Sequence, residues 1–337
     1  MGSVICLGET MAMMTATDGA ALDTATTMRL SVGGAESNVA LGLAAMGNDV
    51  EWIGRLGNDD FGQRISNELS AGGVGVDLVE FDKQLNTGLY VKVPEHGDLP
   101  ASVIYYRAGS AASAMSPDFL LDPQRAKAIR NAPLIHMSGI TPALSASCVA
   151  MMRTLLQLPR TGSACFDVNW RAPLWESQNP KVLLELGNLA DIVLVGLDEA
   201  SDAFGISSVD EIRGLFPKPA TLLIKNESTS TVCFSGTTRT EVPALKVDVV
   251  EPVGAGDSFA AGYLSGVLAH ENARTAMRRG HLAAACTLVV REDRGNLPDA
   301  ADLETLLAVD DTQWERLKVN AGGIYHGTNH YSFGDPS

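Results

Sequence analysis

The sequence predicts an α/β fold, a doubly wound and mostly parallel sheet flanked by helices. Two observations carry that prediction. Short apolar runs recur at Val4–Leu7, Leu134–Met137, Ala164–Val168, Ile192–Val195 and Thr221–Lys225, the pattern of parallel strands covered on both faces. Helical stretches fall between them, at about Ser145–Gln157, Asn179–Gly187 and Val209–Leu215, and strand–helix alternation is how such a sheet is wound. Ligands of a sheet of this kind bind outside the carboxyl ends of its strands.

Taken from the N-terminus, Val4–Leu7 reads as the first buried strand, and Met11–Arg29 as half-exposed strand with no helix after it. Gly33 and Gly34 open a helix running to Gly47, followed by the apparent strand Val50–Ile53. Gly88–Arg107 alternates Leu89, Val91 and Val93, then Val103, Tyr105 and Arg107, again half-exposed strand. An antiparallel edge hairpin fits this local sequence as well as any other arrangement. The remaining strands and helices follow in order to Thr221–Lys225, and small residues at Val253–Gly262 lead into a further helix. The tail 321–337 is rich in Gly, His, Asn and Ser without periodicity, so it reads as irregular.

Composition bounds the function. A chain of 337 residues with 45% apolar content can bury one large α/β core or two smaller ones, and its length alone does not decide which. A net charge of −15 without clustered Lys and Arg argues against a nucleic-acid partner. Cys6, Cys148, Cys165, Cys233 and Cys286 are scattered, odd in number and without metal-ligand spacing, which fits small core residues in a reducing compartment. No secretory signal and no run approaching the ~18 apolar residues that span a bilayer is visible, so the cytoplasm is the expected location and no membrane partner is expected.

The chemistry concentrates in Val253-Gly-Ala-Gly-Asp-Ser-Phe-Ala-Ala-Gly262. Gly254 and Gly256 let the backbone turn tightly, and the first free N–H groups of the following helix make an anion site. Asp257 beside it is either an ordinary helix N-cap or a base set next to a phosphate cradle. A second segment bears on the choice: Gly33-Gly-Ala-Glu-Ser-Asn-Val-Ala-Leu-Gly-Leu-Ala-Ala-Met-Gly47, followed by Gly54-Arg-Leu-Gly-Asn-Asp-Asp-Phe-Gly62. Together, about 220 residues apart, the two resemble the paired signatures of the ribokinase (PfkB) family of sugar kinases. Tyr105-Tyr-Arg-Ala-Gly-Ser-Ala-Ala-Ser113 and Asp167-Val-Asn-Trp-Arg-Ala-Pro-Leu-Trp175 are similar to segments of the 2-keto-3-deoxygluconate kinases within it.

This resemblance implies a ribokinase-like α/β domain over residues 1–320, with a small β-strand lid built from about 11–32 and 86–110. It implies ATP-dependent phosphorylation of the primary hydroxyl of 2-keto-3-deoxygluconate or a related sugar acid. Asp257 would be the base, with the N–H groups of Gly254, Ala255 and Gly256 as an anion hole. Gly34, Asn38, Tyr90, Tyr105, Arg107 and Arg171 would surround the sugar. The arginine fork pairs two-pronged with a carboxylate, which a neutral hexose lacks. Taken singly, Arg107 is equally a salt bridge on a lid strand, Arg171 a loop cation, and each tyrosine core packing. Lys225, Gly254 and Gly256 would hold the nucleotide phosphates, and Glu199 would help organise Mg2+ through water. A monovalent cation could sit near the loop before Gly254.

Three departures from the family pattern stand out: Gly196 where an Asn precedes Glu199 by three residues, Asn226-Glu-Ser-Thr-Ser-Thr231 where a glycine usually follows Lys225, and Val250-Glu-Pro-Val253 before the glycine turn. Asp198 as a helix N-cap is the plain reading of the acidic pair beside Gly196. Two other functions stay open, a kinase of a neutral sugar of the fructose or ribose type and a non-catalytic sugar or nucleotide sensor. Exposed lid edges would need cover, so a homodimer or higher homo-oligomer through the lid is expected.

Overall fold

The computed structural model describes residues 2–17, 21–93, 102–176, 178–291 and 294–334. Its main sheet has eight strands in the order Thr238–Pro243, Ser230–Ser235, Thr221–Asn226, Ile192–Gly196, Ser163–Asp167, Leu134–Ser138, Val4–Leu7, Val50–Ile53. The six from Thr221–Asn226 to Val50–Ile53 are parallel, as the apolar runs predict. The other two are antiparallel. The chain starts at Val4–Leu7, steps to one side for Val50–Ile53 and then to the other for Leu134–Ser138, so the winding reverses beside Val4–Leu7. A crevice opens at the carboxyl ends of the strands where such a reversal occurs.

Alternate side chains of each strand face opposite layers. Cys6, Trp52, Cys165, Leu194 and Leu223 are buried with the helices Ala35–Ala45, Ala255–Leu268 and Ala273–Leu288. Ile5, Leu7, Ile135, Phe166, Val193 and Ile224 are buried on the other face, with Pro123–Asn131, Ala146–Gln157 and Lys181–Gly187. The five cysteines are free and buried in these layers.

The two half-exposed segments pair with each other. Met28–Gly33, Met11–Ala16, Leu89–Val93 and Ser102–Tyr106 form one four-stranded sheet in that order, with Met11–Ala16 parallel to Leu89–Val93, so an isolated edge hairpin is excluded. Positions 18–20 and 94–101 of the two lid segments lie outside the described residues. The outer strand of this sheet leaves Val103, Ile104, Tyr105 and Tyr106 at 40, 39, 40 and 59% exposure.

The irregular tail is corrected. Lys318–Asn320, Gly323–His326 and Asn329–Tyr331 join Lys246–Val247 in a small sheet, and Ile324 and Tyr331 are buried in the main core. Strands of three or four residues that turn at glycine carry too few apolar positions to show a period. Residues 335–337 lie outside the described residues. Among the described residues no helix is long and apolar enough to cross a membrane.

Candidate active site

Two helices whose N-termini lie at the crevice set the geometry. A β-carbon on Gly42 would lie 2.7 Å from Cβ of Ala261, so Ala35–Ala45 and Ala255–Leu268 meet closely through small residues. One turn before that contact on each helix sit Asn38 and Asp257, and Asn38 Nδ2 donates to Asp257 Oδ2 at 2.9 Å. The start of Ala35–Ala45 is tied to the sheet by fully buried Glu36. Its Oε1 accepts from Ser138 N–H at 3.2 Å, Ser138 Oγ at 2.9 Å and Thr141 Oγ1 at 2.9 Å. Burial pushes that carboxyl up to about 7.

Asp257 is not an N-cap. That position belongs to Gly254, whose φ of 85° is the left-handed conformation glycine adopts without penalty. The second oxygen of Asp257 accepts from Asn169 Nδ2 at 3.3 Å. Asn169 stands two residues past the strand Ser163–Asp167 with φ 40°, a conformation asparagine tolerates better than most residues. Burial pushes the Asp257 carboxyl up to about 7, against the Asn38 amide and the Arg171 guanidinium, which pull it down.

Behind the glycine turn lies a cation. Lys225 pairs with Gly196 in the neighbouring strand and reaches across it to both oxygens of buried Asp167, at 3.3 Å each. A β-carbon on Gly256 would lie 3.9 Å from its ammonium, so Lys225 borders the helix N-terminus. Burial alone would lower this ammonium, but Asp167 and then Glu199 outweigh it and hold the pKa above the usual lysine range. Glu199 Oε2 accepts from Gly196 N–H at 2.7 Å, and Oε1 lies 3.9 Å from Nη1 of half-exposed Arg171. Burial pushes the Glu199 carboxyl up, with Lys225 opposing. Asp198 is corrected as a cap: Gly196 caps Leu197–Phe204 and Asp198 lies in its first turn. A side chain at position 196 would run into Asp198 and Glu199, so glycine suits this helix start.

The other candidates gather under the lid. Gly34 meets the backbone of Glu9 so closely that a β-carbon there would lie 2.5 Å from its carbonyl oxygen. Tyr90 is buried with its hydroxyl against Gly33, and its ring centre lies 5.8 Å from that of Tyr105. Arg107 is buried, with its guanidinium 5.4 Å from the Tyr105 ring and paired to Glu9. The predicted residues therefore fall into two groups joined by the Gly34–Asn38 turn, where Asn38 N–H donates to Gly34 O at 2.8 Å. Sequence reasoning missed Asp167, Asn169 and Glu9. The first two stand inside the segment 167–175 already singled out. The available signal was two polar residues at the end of an apolar strand.

The chain is similar to known proteins over most of its length. A model described as the pfkB family carbohydrate kinase matches residues 1–300. A 2-dehydro-3-deoxygalactonokinase of Haloferax volcanii is 31% identical over 301 residues, covering 86% of this chain and 92% of its own. A 2-dehydro-3-deoxygluconokinase of Bacillus subtilis is 32% identical over 318 residues, covering 91% and 96%. A crystal structure of a PfkB protein from Polaromonas sp. JS666 superposes with a TM-score of 0.78 at 29% identity, over 90% of this chain and 99% of that one. The chain belongs to the pfkB family of carbohydrate kinases.

Proposed function

We propose that this kinase transfers the terminal phosphoryl group of ATP to the primary hydroxyl of 2-keto-3-deoxygluconate or a closely related sugar acid. The observation that carries it is Asp257, held on both oxygens by amides from separate elements in the first turn of a glycine-opened helix. The names of the Haloferax and Bacillus relatives support the substrate class.

Phosphoryl transfer needs an in-line hydroxyl, charge stabilisation on the phosphoryl oxygens and a group to take the hydroxyl proton. Asp257 takes the proton, and its carboxyl, pushed up to about 7, titrates close to neutral pH, where a general base works best. The N–H groups at Gly254, Ala255 and Gly256 receive the developing charge, with Lys225 behind them. Glu199 fits a magnesium site, since one of its oxygens has only the 3.9 Å approach of Arg171, and Mg2+ bound to phosphates needs few protein ligands. The ion would supply neutralisation of phosphate charge. Gly34, Tyr90, Tyr105, Arg107 and exposed Arg171 bind the sugar, and Asn38, expected beside them, donates to Asp257 at 2.9 Å.

One observation favours the neutral-sugar alternative: Glu9 already neutralises Arg107. A coupled ADP-release assay across sugar acids, fructose and ribose separates the two. The proposal expects turnover of the sugar acids with Mg·ATP. Preference for a neutral sugar overturns the substrate, and absence of ADP release with every sugar overturns the kinase. The same assay with K+ replaced by a bulky cation tests a monovalent site near Val250–Val253. The exposed apolar strand Ser102–Tyr106 supports a homodimer through the lid, for which light scattering is the check.

A further inference from the structure

Glu9 stands two residues past the strand Val4–Leu7, at the carboxyl end where the winding of the sheet reverses, and it is 1% exposed. Arg107 follows the outer lid strand and is 8% exposed. Arg107 Nη2 donates to Glu9 Oε2, and Ser110 Oγ donates to Glu9 Oε1 at 3.0 Å. The pair is packed around Gly88, where a β-carbon would lie 3.1 Å from Glu9 Oε1 and 3.4 Å from Arg107 Cβ. Nε of Arg107 is buried without a partner. The Glu9 backbone touches Gly34, and the Arg107 guanidinium faces Tyr105, so both charges belong to the wall of the sugar site.

A buried guanidinium without a partner is costly, and one carboxylate already compensates this one. A sugar carboxylate arriving here meets oriented N–H groups but a charge already balanced, and it meets Glu9 as a like charge. The geometry points to Glu9 as a specificity-determining residue, setting through Arg107 how far the site favours an acid sugar over its uncharged analogue. This inference rests on the sugar site proposed above, though not on which sugar is the natural one. Burial pushes the Glu9 carboxyl up while Arg107 and Ser110 hold it down.

The test is a double-mutant cycle with Glu9→Gln, Arg107→Met and both together, read as the ratio of kcat/KM for 2-keto-3-deoxygluconate to that for its amide. Glu9→Gln keeps the acceptor for Ser110 and removes the charge. It raises the ratio about tenfold, the difference between a charge-assisted and a neutral contact. Arg107→Met lowers the ratio by a similar factor, because Glu9 is left facing the substrate alone, and adding Glu9→Gln restores most of that loss. The sugar acid also raises the Tm of Glu9→Gln more than that of the parent, since it supplies the missing negative partner. An unchanged ratio in Glu9→Gln, or an equal loss on both substrates, overturns the inference. Should Glu9→Gln fail to fold, the double variant decides: no recovery relative to Arg107→Met overturns it. A parent enzyme that prefers the amide or fructose would sink the acid-sugar reading alone, because the direction of each shift is measured against the parent.

Discussion

Asn38→Ala removes the 2.9 Å amide contact to Asp257 while leaving the carboxylate itself in place. Burial pushes the Asp257 carboxyl up to about 7, and the Asn38 amide is the foremost influence holding it down. A hydrogen bond to a charged acceptor contributes about 1.5–3 kcal/mol. One pH unit corresponds to about 1.4 kcal/mol, so losing the donor moves the ionisation upward by roughly 1–2 units. A base works only when deprotonated, so activity falls on the acid side and the acid limb of the pH–rate profile moves to higher pH. At pH 7 the ionised fraction drops from about half, and the rate with it by about five- to fiftyfold, with recovery by about pH 9.5. The assay is kcat/KM from ADP release between about pH 5.5 and 9.5. Asn169→Ala, whose amide is more distant at 3.3 Å, gives a smaller shift of the same sign. A loss in Asn38→Ala that is equal at every pH, with the acid limb unmoved, would refute the claim that Asn38 acts through Asp257.

Asp257→Asn keeps the fold and binds sugar and nucleotide in calorimetry while losing about 10²–10⁴ in kcat, the range of a general base; an unchanged kcat removes Asp257 from the mechanism. Gly42→Val puts volume where Ala261 already lies 2.7 Å away, and urea unfolding should show a loss of about 1–3 kcal/mol together with reduced turnover. Neutral behaviour there would mean that the two helices do not need their close approach. Glu36 is fully buried with a folded-state pKa raised to about 7, so the folded state holds a proton that the unfolded chain releases nearer pH 4.5. Its contribution to stability is present below that lower value and is lost as pH rises toward 7, by about 3 kcal/mol at 1.4 kcal/mol per unit. Glu36→Gln, which cannot ionise, should flatten that decline in denaturation midpoints measured from pH 4.5 to 8, and an identical slope in both proteins would contradict it.

What was legible followed from periodicity and from glycine. Five apolar runs gave five parallel strands because burial on both faces leaves no polar interruption. Gly254-Ala-Gly-Asp257 gave the helix start because its backbone demand is local. Pairings between distant segments were not legible. That Met11–Ala16 lies parallel to Leu89–Val93 depends on strands brought together by the whole sheet. The clamp on Asp257 unites positions 38, 169 and 257, and of these 169 was not picked out beforehand. Ser230–Ser235 and Thr238–Pro243 were missed because polar residues on their outer portions hide the apolar faces. The departure at Gly196 had no local explanation from sequence alone. In the structure it is a helix start capped by Glu199 through a backbone N–H.

The proposed phosphate end raises a question of charge, because there a chain of net −15 would receive a polyanion. Locally the carboxylates of Asp167, Glu199 and Asp257 surround Lys225 and Arg171, so the side chains alone do not make an attractive field. Attraction instead comes from groups that are fixed before the ligand arrives. The N–H groups at the start of Ala255–Leu268 are oriented by the backbone and carry no mobile counter-charge. Asp167 lies beneath Lys225, two strands away and nearly enclosed, so it holds the ammonium toward Gly256 without competing at the open side. A lysine already ordered loses less side-chain entropy on binding than a free one. In the proposed mechanism the carboxylates then act as supports for donors, and the one held between two amides, Asp257, is left to exchange a proton.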